Sequence, residues 1–313
     1  MKYFLMRLSR SRPCDAVLPV GVGLVLAMLL TACSGASGSA EKGELTTVKS
    51  GTITVAITAY MPYDGYEGGK LTGLDGDIIN KIAGELGYKV DVQVMDFAGM
   101  LTAVQTNRVD MGASAVFWKP DRAATGLFTD PPYYSPMALA VADGNTYTKA
   151  SQLEGKDIGT VTGYSWVESI KDIPGAKLHT YPDANGVFND LRARRINVGM
   201  LDPLVTSYTE KKNPELAFKT QYITPPTKEE IAQHPGWLYL SPAMTGFYVA
   251  KQSKDLEKAF SQKIREMYTD GSMTELIKKW GGDPDTYLLP SPGMLETRRG
   301  ADRDATWTLP TIK

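Results

Sequence analysis

Residues 108–134 read RVDMGASAVFWKPDRAATGLFTDPPYY, and they contain the end of the first of two α/β units in the 313-residue chain. The first part of this stretch, residues 109–116, is predicted to be a β-strand. Towards the N-terminus, the spacing of apolar residues predicts strand 53–57, helix 77–86, strand 90–94 and a helix after Asp96. The order strand–helix–strand–helix–strand predicts a parallel sheet in an α/β fold.

A second set of strands and helices of similar size follows the quoted stretch. The same patterns predict strands 157–162, 177–181 and 196–201, and helices 165–170, 184–194 and 203–211. Two α/β units in one chain predict two lobes. After them we expect a long helix from Ser253 to Tyr268 and an irregular tail over about 282–313.

The first 32 residues have the pattern of an export signal. Four basic residues precede the uncharged run 16–30, which is shorter than the roughly 20 apolar residues that a membrane-spanning helix needs. The run ends in Leu30-Thr31-Ala32-Cys33, which resembles the bacterial lipobox. We therefore expect a signal peptide over 1–32, lipidation of Cys33 and a flexible tether over 33–50. The alternative is an uncleaved anchor followed by a chance cysteine.

Composition and charge exclude several classes of function. The formal net charge is −1 and no basic stripe is visible, so we expect no nucleic-acid partner. The two histidines, His179 and His234, belong to no His/Cys cluster, and we expect neither a metal site nor a cofactor. Cys14 would leave with the signal peptide and Cys33 would be lipidated, so no thiol remains for a disulfide or a nucleophile. We expect a monomer.

Several short motifs, taken in order, resemble family 3 of the bacterial extracellular solute-binding proteins, which bind amino acids for ABC importers. The motifs are Tyr60-Met61-Pro62-Tyr63, Gly73-Leu74-Asp75-Gly76-Asp77, Phe97–Leu101, Arg108-Val109-Asp110, Pro120-Asp121-Arg122-Ala123, Phe128-Thr129-Asp130-Pro131-Pro132-Tyr133-Tyr134, Asp270-Gly271-Ser272 and Lys279-Trp280. The resemblance covers about residues 51–281. Each motif is weak alone, and the order and spacing carry the resemblance.

The resemblance implies a two-lobed clamp of the type II periplasmic-binding-protein class. The first lobe would be discontinuous, over 51–138 plus 246–313, and the second lobe would cover 139–245. Two hinge strands, near 138–142 and 243–247, would join them. The ligand would lie in the cleft between the lobes, and closure would bury it.

The resemblance also implies three polar ligand contacts. Arg122 would grip an α-carboxylate with its planar fork, Asp202 would bind an α-ammonium group, and Ser165 would make a second carboxylate contact. The residues themselves leave other roles open. Arg122 would otherwise be a surface residue paired with an acid such as Asp121, while Asp202 and Ser165 would simply cap helices.

The apolar contacts implied by the resemblance come from the first lobe. Tyr60 and Phe97 would sandwich the ligand side chain, and Ser114 would offer backbone contacts; core packing is the alternative for both rings. Phe117 stands where a hydroxyl usually meets the carboxylate, and Ile57 where relatives for cationic amino acids carry an acid. We therefore expect selectivity against cationic side chains and for apolar, aromatic or methylated-ammonium ligands, unless an acid from another segment supplies the charge.

The function implied is capture of an amino acid or similar zwitterion for the permease of an ABC importer. The protein would be exported and lipid-anchored on the outer side of the cytoplasmic membrane. Two alternatives stay open: a sensory ligand-binding protein, and an enzyme on the same scaffold such as a cyclohexadienyl dehydratase. The enzyme would need a general acid, for which Glu168 and His234 are candidates. The segment 224–244 would be either a lid over the cleft or a surface loop.

Overall fold

Two five-stranded sheets form the framework of the protein, whose computed structural model describes residues 44–312. Strands alternate with helices along the chain, and the two-lobed α/β fold expected from the sequence is confirmed. The signal-peptide segment and Cys33 lie outside the described residues. Within residues 44–312, no helix is both long and apolar enough to cross a bilayer.

Most strands are short, and the helices are distributed along the chain. In chain order the strands are β1 (Thr52–Ile57), β2 (Gly65–Glu67), β3 (Lys70–Thr72), β4 (Lys89–Val94), β5 (Met111–Gly112), β6 (Leu127–Phe128), β7 (Tyr134–Ser135), β8 (Ala138–Ala142), β9 (Asp157–Val161), β10 (Lys177–Tyr181), β11 (Val198–Met200), β12 (Phe218–Tyr222), β13 (Ala243–Met244) and β14 (Tyr248–Val249). The helices are α1 (Gly73–Leu86), α2 (Phe97–Gln105), α3 (Pro120–Thr125), α4 (Trp166–Lys171), α5 (Ala184–Arg192), α6 (Pro203–Lys212), α7 (Lys228–Gln233), α8 (Lys254–Asp270), α9 (Ser272–Lys279), α10 (Pro284–Tyr287) and α11 (Met294–Arg298). Short 3-10 helices cover Ala150–Leu153, Pro214–Leu216 and Pro235–Leu240.

The first sheet has the strand order β4-β1-β5-β14-β6. Strand β1 is buried along its whole length and lies parallel to both β4 and β5. Strand β14 runs antiparallel to β5 and β6 and fills the place between them. Because β14 follows the second sheet along the chain, the first sheet is assembled from two distant segments.

The second sheet has the strand order β10-β9-β11-β8-β12. Strand β9 lies parallel to β10 and β11, whereas β8 is antiparallel to β11 and β12. All five strands come from one continuous segment, Ala138–Tyr222. The second sheet therefore needs no strand from elsewhere in the chain.

A small antiparallel pair, β7 with β13, connects the two sheets. The sequence analysis expected hinge strands near 138–142 and 243–247. A strand is found in the second range, at Ala243–Met244, but its partner is Tyr134–Ser135 and not 138–142. The segment 138–142 is instead strand β8 of the second sheet. All five of its residues are apolar and buried, as expected for a strand with neighbours on both sides.

Local capping signals position the helices as expected, while one strand is shorter than predicted. Asp96 and Asp183 each accept a hydrogen bond from a backbone N–H three residues later, at the starts of α2 and α5. The predicted strand 109–116 is reduced to Met111–Gly112. The chain leaves the extended conformation at Ser114 and Ala115, whose φ angles are 93° and 50°.

The segment 224–244 packs along α4 of the second lobe. The Trp166 indole Nε1 donates to the Tyr239 carbonyl oxygen at 3.0 Å, and the Ser169 hydroxyl donates to the Gly236 carbonyl oxygen at 2.8 Å. A Cβ at Gly236 would lie 2.7 Å from the Glu168 carbonyl oxygen, so glycine permits this close approach. The segment therefore covers a helix at the edge of the cleft, next to Lys119 of the first lobe, which lies 4.6 Å from the Tyr239 ring centroid.

The C-terminal tail is bound to the first lobe through a buried arginine. Arg298 is fully buried, donates to the carbonyl oxygens of Phe128 and Thr129, and pairs with Asp302 at 2.6 Å. The Tyr134 hydroxyl in β7 donates to the Pro310 carbonyl oxygen at 2.5 Å. The predicted irregular tail thus has a fixed course over the first lobe and reaches the pair of strands that joins the sheets.

Candidate ligand-binding site

A small cavity lies where the two lobes meet. The cavity volume is only about 10 Å³, room for no more than one water molecule, so the lobes are nearly closed on one another. Both lobes line the cavity. The first lobe contributes Phe97, Ala115, Phe117 and Arg122, and the second lobe contributes Tyr164, Ser165, Trp166 and Asp202. The structure thus brings five of the seven predicted ligand contacts to one cavity, and Tyr60 lies at its edge against Tyr164.

Arg122 extends from α3 into the cleft and is only 6% exposed. Its Nη1 donates to the Phe117 carbonyl oxygen at 2.8 Å, and its Nη2 donates to the Gly163 carbonyl oxygen at 2.8 Å. Burial lowers the pKa of the guanidinium. Its guanidinium forms no ion pair with a carboxylate of residues 44–312, so the buried positive charge is held by two neutral carbonyl groups and by the Phe97 ring, whose centroid lies 5.3 Å from Cζ. The alternative role, an exposed arginine paired with Asp121, is not what the structure has.

Asp202 stands at the end of β11, directly before α6, and is 3% exposed. The Ser135 hydroxyl donates to its Oδ1 at 3.1 Å, and its own backbone N–H donates to the Tyr60 hydroxyl oxygen at 3.2 Å. Its side chain makes no capping bond to α6, although the residue occupies the N-cap position. Burial raises the pKa of this carboxyl group to about 7.

Ser165 lies directly before α4 and faces the cavity. Its hydroxyl is buried and has no hydrogen-bond partner among the described residues, and it does not cap the helix. A buried hydroxyl without a partner is destabilising, and a ligand oxygen in the cavity would satisfy it. This is the arrangement expected of a ligand contact, and it differs from a simple cap.

A chain of aromatic rings crosses the cavity. The ring centroids of Phe97 and Tyr164 are 4.6 Å apart, those of Tyr60 and Tyr164 are 6.0 Å apart, and those of Phe117 and Trp166 are 5.3 Å apart, all in edge-to-face arrangements. Tyr60 and Phe97 belong to the first lobe as expected. Tyr164 also lines the cavity, and the sequence analysis did not name it.

Two predicted positions lie behind the cavity and do not line it. The Ser114 backbone N–H, which was expected to contact ligand, donates instead to Asp75 Oδ2 at 2.9 Å, and Ala115 takes the place facing the cavity. Ile57 is fully buried in the core of the first sheet. The selectivity argument from Ile57 therefore has no direct contact to support it, whereas that from Phe117 does.

The two acid candidates of the enzymatic alternative lie outside the cavity lining. Glu168 pairs with Lys119 of the first lobe at 2.8 Å and keeps half of its side chain exposed. His234 stacks on Trp237 with ring centroids 4.4 Å apart, in the segment that covers α4. Among the described residues, no group of three His, Cys, Asp or Glu side chains is arranged to hold a metal ion.

A wider groove, of about 640 Å³, lies on the outer side of the same aromatic residues. Tyr60, Phe97 and Tyr164 line it, and the second lobe adds polar side chains such as Asn185 and Asn189. Phe97 and Tyr164 belong to both linings, so their rings separate the inner cavity from the outer groove.

Comparisons with known proteins match most of the chain to solute-binding proteins. The model of the family described as bacterial extracellular solute-binding proteins, family 3, matches residues 53–283. The L-cystine-binding protein TcyJ of Escherichia coli (strain K12) is 28% identical over 264 residues, which are 82% of this chain and 93% of that protein. The arginine-binding extracellular protein ArtP of Bacillus subtilis (strain 168) is 24% identical over 263 residues, which are 83% of this chain and 95% of that protein.

Among solved structures, the substrate binding protein of an amino acid ABC transporter has the same fold. It superposes with a TM-score of 0.64 at 28% sequence identity and covers 74% of this chain and 99% of its own. The family match ends at residue 283, so helices α10 and α11 and the buried Arg298 lie beyond it.

Proposed function

The chain belongs to the bacterial extracellular solute-binding proteins, family 3, and on this premise we propose that it captures an amino acid or amino-acid-like zwitterion for an ABC importer. One observation carries the proposal. A buried arginine and a buried aspartate, Arg122 and Asp202, line the same cavity from opposite lobes. This pair is complementary to a molecule with a carboxylate at one end and an ammonium group at the other.

The free-energy cost of burying the positive charge of Arg122 favours a ligand carboxylate as its partner. A buried charge is strongly unfavourable unless it is paired, and the guanidinium contacts two carbonyl groups and the Phe97 ring but no carboxylate among the described residues. A ligand carboxylate would accept two parallel bonds from its fork, and the free hydroxyl of Ser165 would add a third. Asp202, Ser165 and Tyr164 would then belong to the closing second lobe, and Arg122, Tyr60, Phe97 and Phe117 to the receiving first lobe.

Binding would be coupled to closure of the clamp. Ala138 pairs with Tyr222 in the second sheet, so we assign the first lobe to 51–133 plus 246–312 and the second lobe to 138–242, with β7 and β13 at the hinge. A ligand that contacts both lobes stabilises the closed arrangement over the open one, because only the closed form makes both sets of contacts.

The cellular setting follows from the N-terminal sequence. A lipid on Cys33 would hold the protein on the outer side of the cytoplasmic membrane. The tether predicted over 33–50 would end near residue 44, because the backbone N–H groups of Leu45, Thr46 and Val48 donate to side chains of the first lobe. The partner would be the permease of an importer, and the protein would act as a monomer. The named relatives are binding proteins, which supports binding over catalysis.

The experiment combines ligand screening with two cleft variants. Purified protein is screened by thermal shift against the proteinogenic amino acids, and the compound with the largest shift is measured by calorimetry. Arg122→Ala and Asp202→Ala should each weaken its binding by about 2–5 kcal/mol, since each leaves a desolvated charge without its partner. The exposed Arg195→Ala and Asp143→Ala, which remove the same charges outside the cavity lining, should leave the affinity unchanged.

Two results would contradict the proposal. Unchanged affinity in both cleft variants would mean that the zwitterion is not held between these charges. Conversion of the bound compound, detected by mass spectrometry after incubation with wild-type protein, would favour an enzyme on this scaffold.

A further inference from the structure

We propose that Asp75 is a positioning residue for ligand binding, which holds the segment 114–117 in the conformation that presents Ala115 and Arg122 to the cleft. This inference rests on the proposed function and adds a residue that does not itself line the cavity. The hydrogen bonds of Asp75 join residues of the first lobe to one another. They therefore stay in place when the lobes separate to admit a ligand.

The carboxylate of Asp75 is buried and accepts three hydrogen bonds. The backbone N–H groups of Ser114 and Ala115 both donate to its Oδ2, at 2.9 and 3.1 Å, and the Tyr133 hydroxyl donates to its Oδ1 at 2.7 Å. Burial raises the pKa of Asp75 to about 6, so at neutral pH the group is mostly ionised and can accept all three bonds. Asp75 therefore ties two consecutive backbone amides to the first turn of α1.

The two residues that Asp75 holds have an unfavourable backbone conformation. The φ angles of Ser114 and Ala115 are 93° and 50°, in the left-handed region, where a residue with a Cβ atom is strained. Two charge-assisted hydrogen bonds to one carboxylate oxygen stabilise this conformation. The chain thus leaves β5 after Gly112 and turns towards the cleft because a carboxylate lies behind the turn.

The turn sets the position of groups that face the ligand. Ala115 lines the cavity, and so does Phe117, whose carbonyl oxygen accepts a bond from Arg122 Nη1 at 2.8 Å. At its other end the segment pairs with Thr245 through a β-bridge at Phe117. Loss of Asp75 would release one of these two ends and displace the carbonyl group that orients the arginine. A site held in place before binding avoids the free-energy cost of ordering it during binding.

Asp110 offers a matched control in the same lobe. Like Asp75 it is 1% exposed, and it also accepts two backbone N–H groups, from Val48 on Oδ1 and from Thr54 on Oδ2, both at 2.7 Å. Neither donor residue lines the cavity. Removing either carboxylate leaves two backbone N–H groups without an acceptor and destabilises the fold. Only removal of Asp75 should weaken ligand binding as well.

The test begins with ligand affinity. Wild type, Asp75→Ala, Asp75→Asn and Asp110→Ala are titrated by calorimetry with alanine, glutamine, histidine, arginine and cystine. Asp75→Ala should weaken the tightest of the wild-type complexes by at least about tenfold, and Asp110→Ala by less than about threefold. Asp75→Asn should also stay within about threefold, because its amide oxygen can accept both N–H groups and its Nδ2 can donate to the Tyr133 hydroxyl oxygen. The asparagine variant therefore separates the position of the turn from the charge of Asp75.

The exchange of amide protons with solvent deuterium, followed by NMR, reports on the turn itself. In ligand-free wild type the Ser114 and Ala115 amides should exchange at least about a hundredfold more slowly than in an unstructured peptide. Faster exchange would overturn the inference, even if Asp75→Ala does not fold. Circular dichroism establishes that each variant is folded before titration.

The affinities separate this inference from the proposed function. A smaller loss than expected in Asp75→Ala would overturn the inference and leave the proposed function standing. So would a loss in Asp110→Ala close to that in Asp75→Ala, which would mean a general loss of stability. An equal loss in Asp75→Asn and Asp75→Ala would mean that charge and not position matters, and it too would overturn the inference. If wild type binds none of these compounds, the proposed function fails, and the inference fails with it.

Discussion

The Nη2 atom of Arg122 and the carbonyl oxygen of Gly163 lie 2.8 Å apart across the cleft, so a residue expected to hold ligand also joins the two lobes. A second contact, between Lys119 and Glu168, joins them at 2.8 Å on the same side. Both bonds must break when the lobes separate. The closed arrangement is therefore stabilised by the protein's own side chains as well as by any ligand.

The ion pair between the lobes should influence the opening equilibrium. Lys119 is 5% exposed, and Glu168→Gln would remove its 2.8 Å partner. Since half of the Glu168 side chain is exposed, we expect a loss of about 1 kcal/mol, or roughly a fivefold shift towards the open form. Small-angle scattering of the ligand-free protein should show a larger radius of gyration. Glu275→Gln, at an exposed pair within α9, is the matched control, and an equal radius for both variants would contradict this role.

Ligand affinity should depend on pH through Asp202. Burial raises the pKa of this group to about 7, so below neutral pH it is largely protonated in the free protein. Binding of an ammonium group favours the ionised form, and affinity should rise between pH 5 and pH 7 by up to about tenfold per pH unit. Calorimetry in buffers of different ionisation enthalpy would detect the released proton. In Asp202→Asn the affinity should be lower and the release absent; a proton release equal to that of wild type would refute the assignment.

The buried Asp64 should make stability fall as the pH rises. Burial first, and the charge of Asp75 second, raise the pKa of Asp64 to about 7 from its ordinary value of 3.8. Because the folded-state pKa is the higher one, the stabilisation is complete below about pH 4 and is lost as the pH rises through 7. Between pH 5 and pH 8 the loss should be about 2–3 kcal/mol in wild type relative to Asp64→Asn.

Urea unfolding at the two pH values measures this difference in the free energy of unfolding. The exposed Asp285→Asn removes the same charge at the surface and should show no such change relative to wild type. A difference between wild type and Asp64→Asn that is constant with pH would contradict the prediction.

Arg298 should be a major source of stability for the first lobe. Arg298→Met removes its bonds to the carbonyl oxygens of Phe128 and Thr129 and leaves Asp302 without its partner. Removing one member of a buried pair typically costs about 3–5 kcal/mol. Urea unfolding should show a loss of this size, while the exposed Arg195→Met should lose less than about 1 kcal/mol. Equal losses in the two variants would mean that the tail contributes little.

Lipidation should depend on Cys33. The sequence Leu30-Thr31-Ala32-Cys33 predicts that Cys33→Ala is neither acylated nor processed at this site. Metabolic labelling with a radioactive fatty acid in a bacterial host should label wild type and not the variant. Equal labelling of both would end the lipoprotein interpretation, and Cys14→Ala serves as the control because that residue would be removed with the signal.

Local signals were readable from the sequence because their causes are local. The N-caps at Asp96 and Asp183 each bond an amide three residues away, and Gly87 ends α1 with a φ of 84°. The shortened strand β5 has a distant cause. The left-handed Ser114 and Ala115 present their N–H groups to Asp75, about forty positions earlier, and no pattern within the strand shows this contact.

The residues of the site also combine local sequence signals with contacts to distant parts of the chain, and only the signals could be predicted. Arg122 and Asp202 are recognisable from motifs, but the burial that gives them their chemistry arises only when two lobes meet. Tyr164 reads along the sequence as the residue between a turn glycine and a serine. Its place in the cavity lining comes with its ring contacts to Tyr60 and Phe97, which belong to the other lobe. The order Gly163-Tyr164-Ser165, with a large ring beside a cleft serine, was the available signal.

The position of β14 between β5 and β6 has a consequence for biosynthesis. A polypeptide emerges N-terminus first, so the second sheet has all of its strands once residue 222 is out, while the first sheet still lacks Tyr248–Val249. Until those residues arrive, β5 and β6 present unpaired edges, which are prone to join other chains. Arg298 arrives later still. The first lobe therefore begins to be made before the second lobe, but its sheet is completed last. A chaperone that binds incompletely folded chains would act on the first lobe.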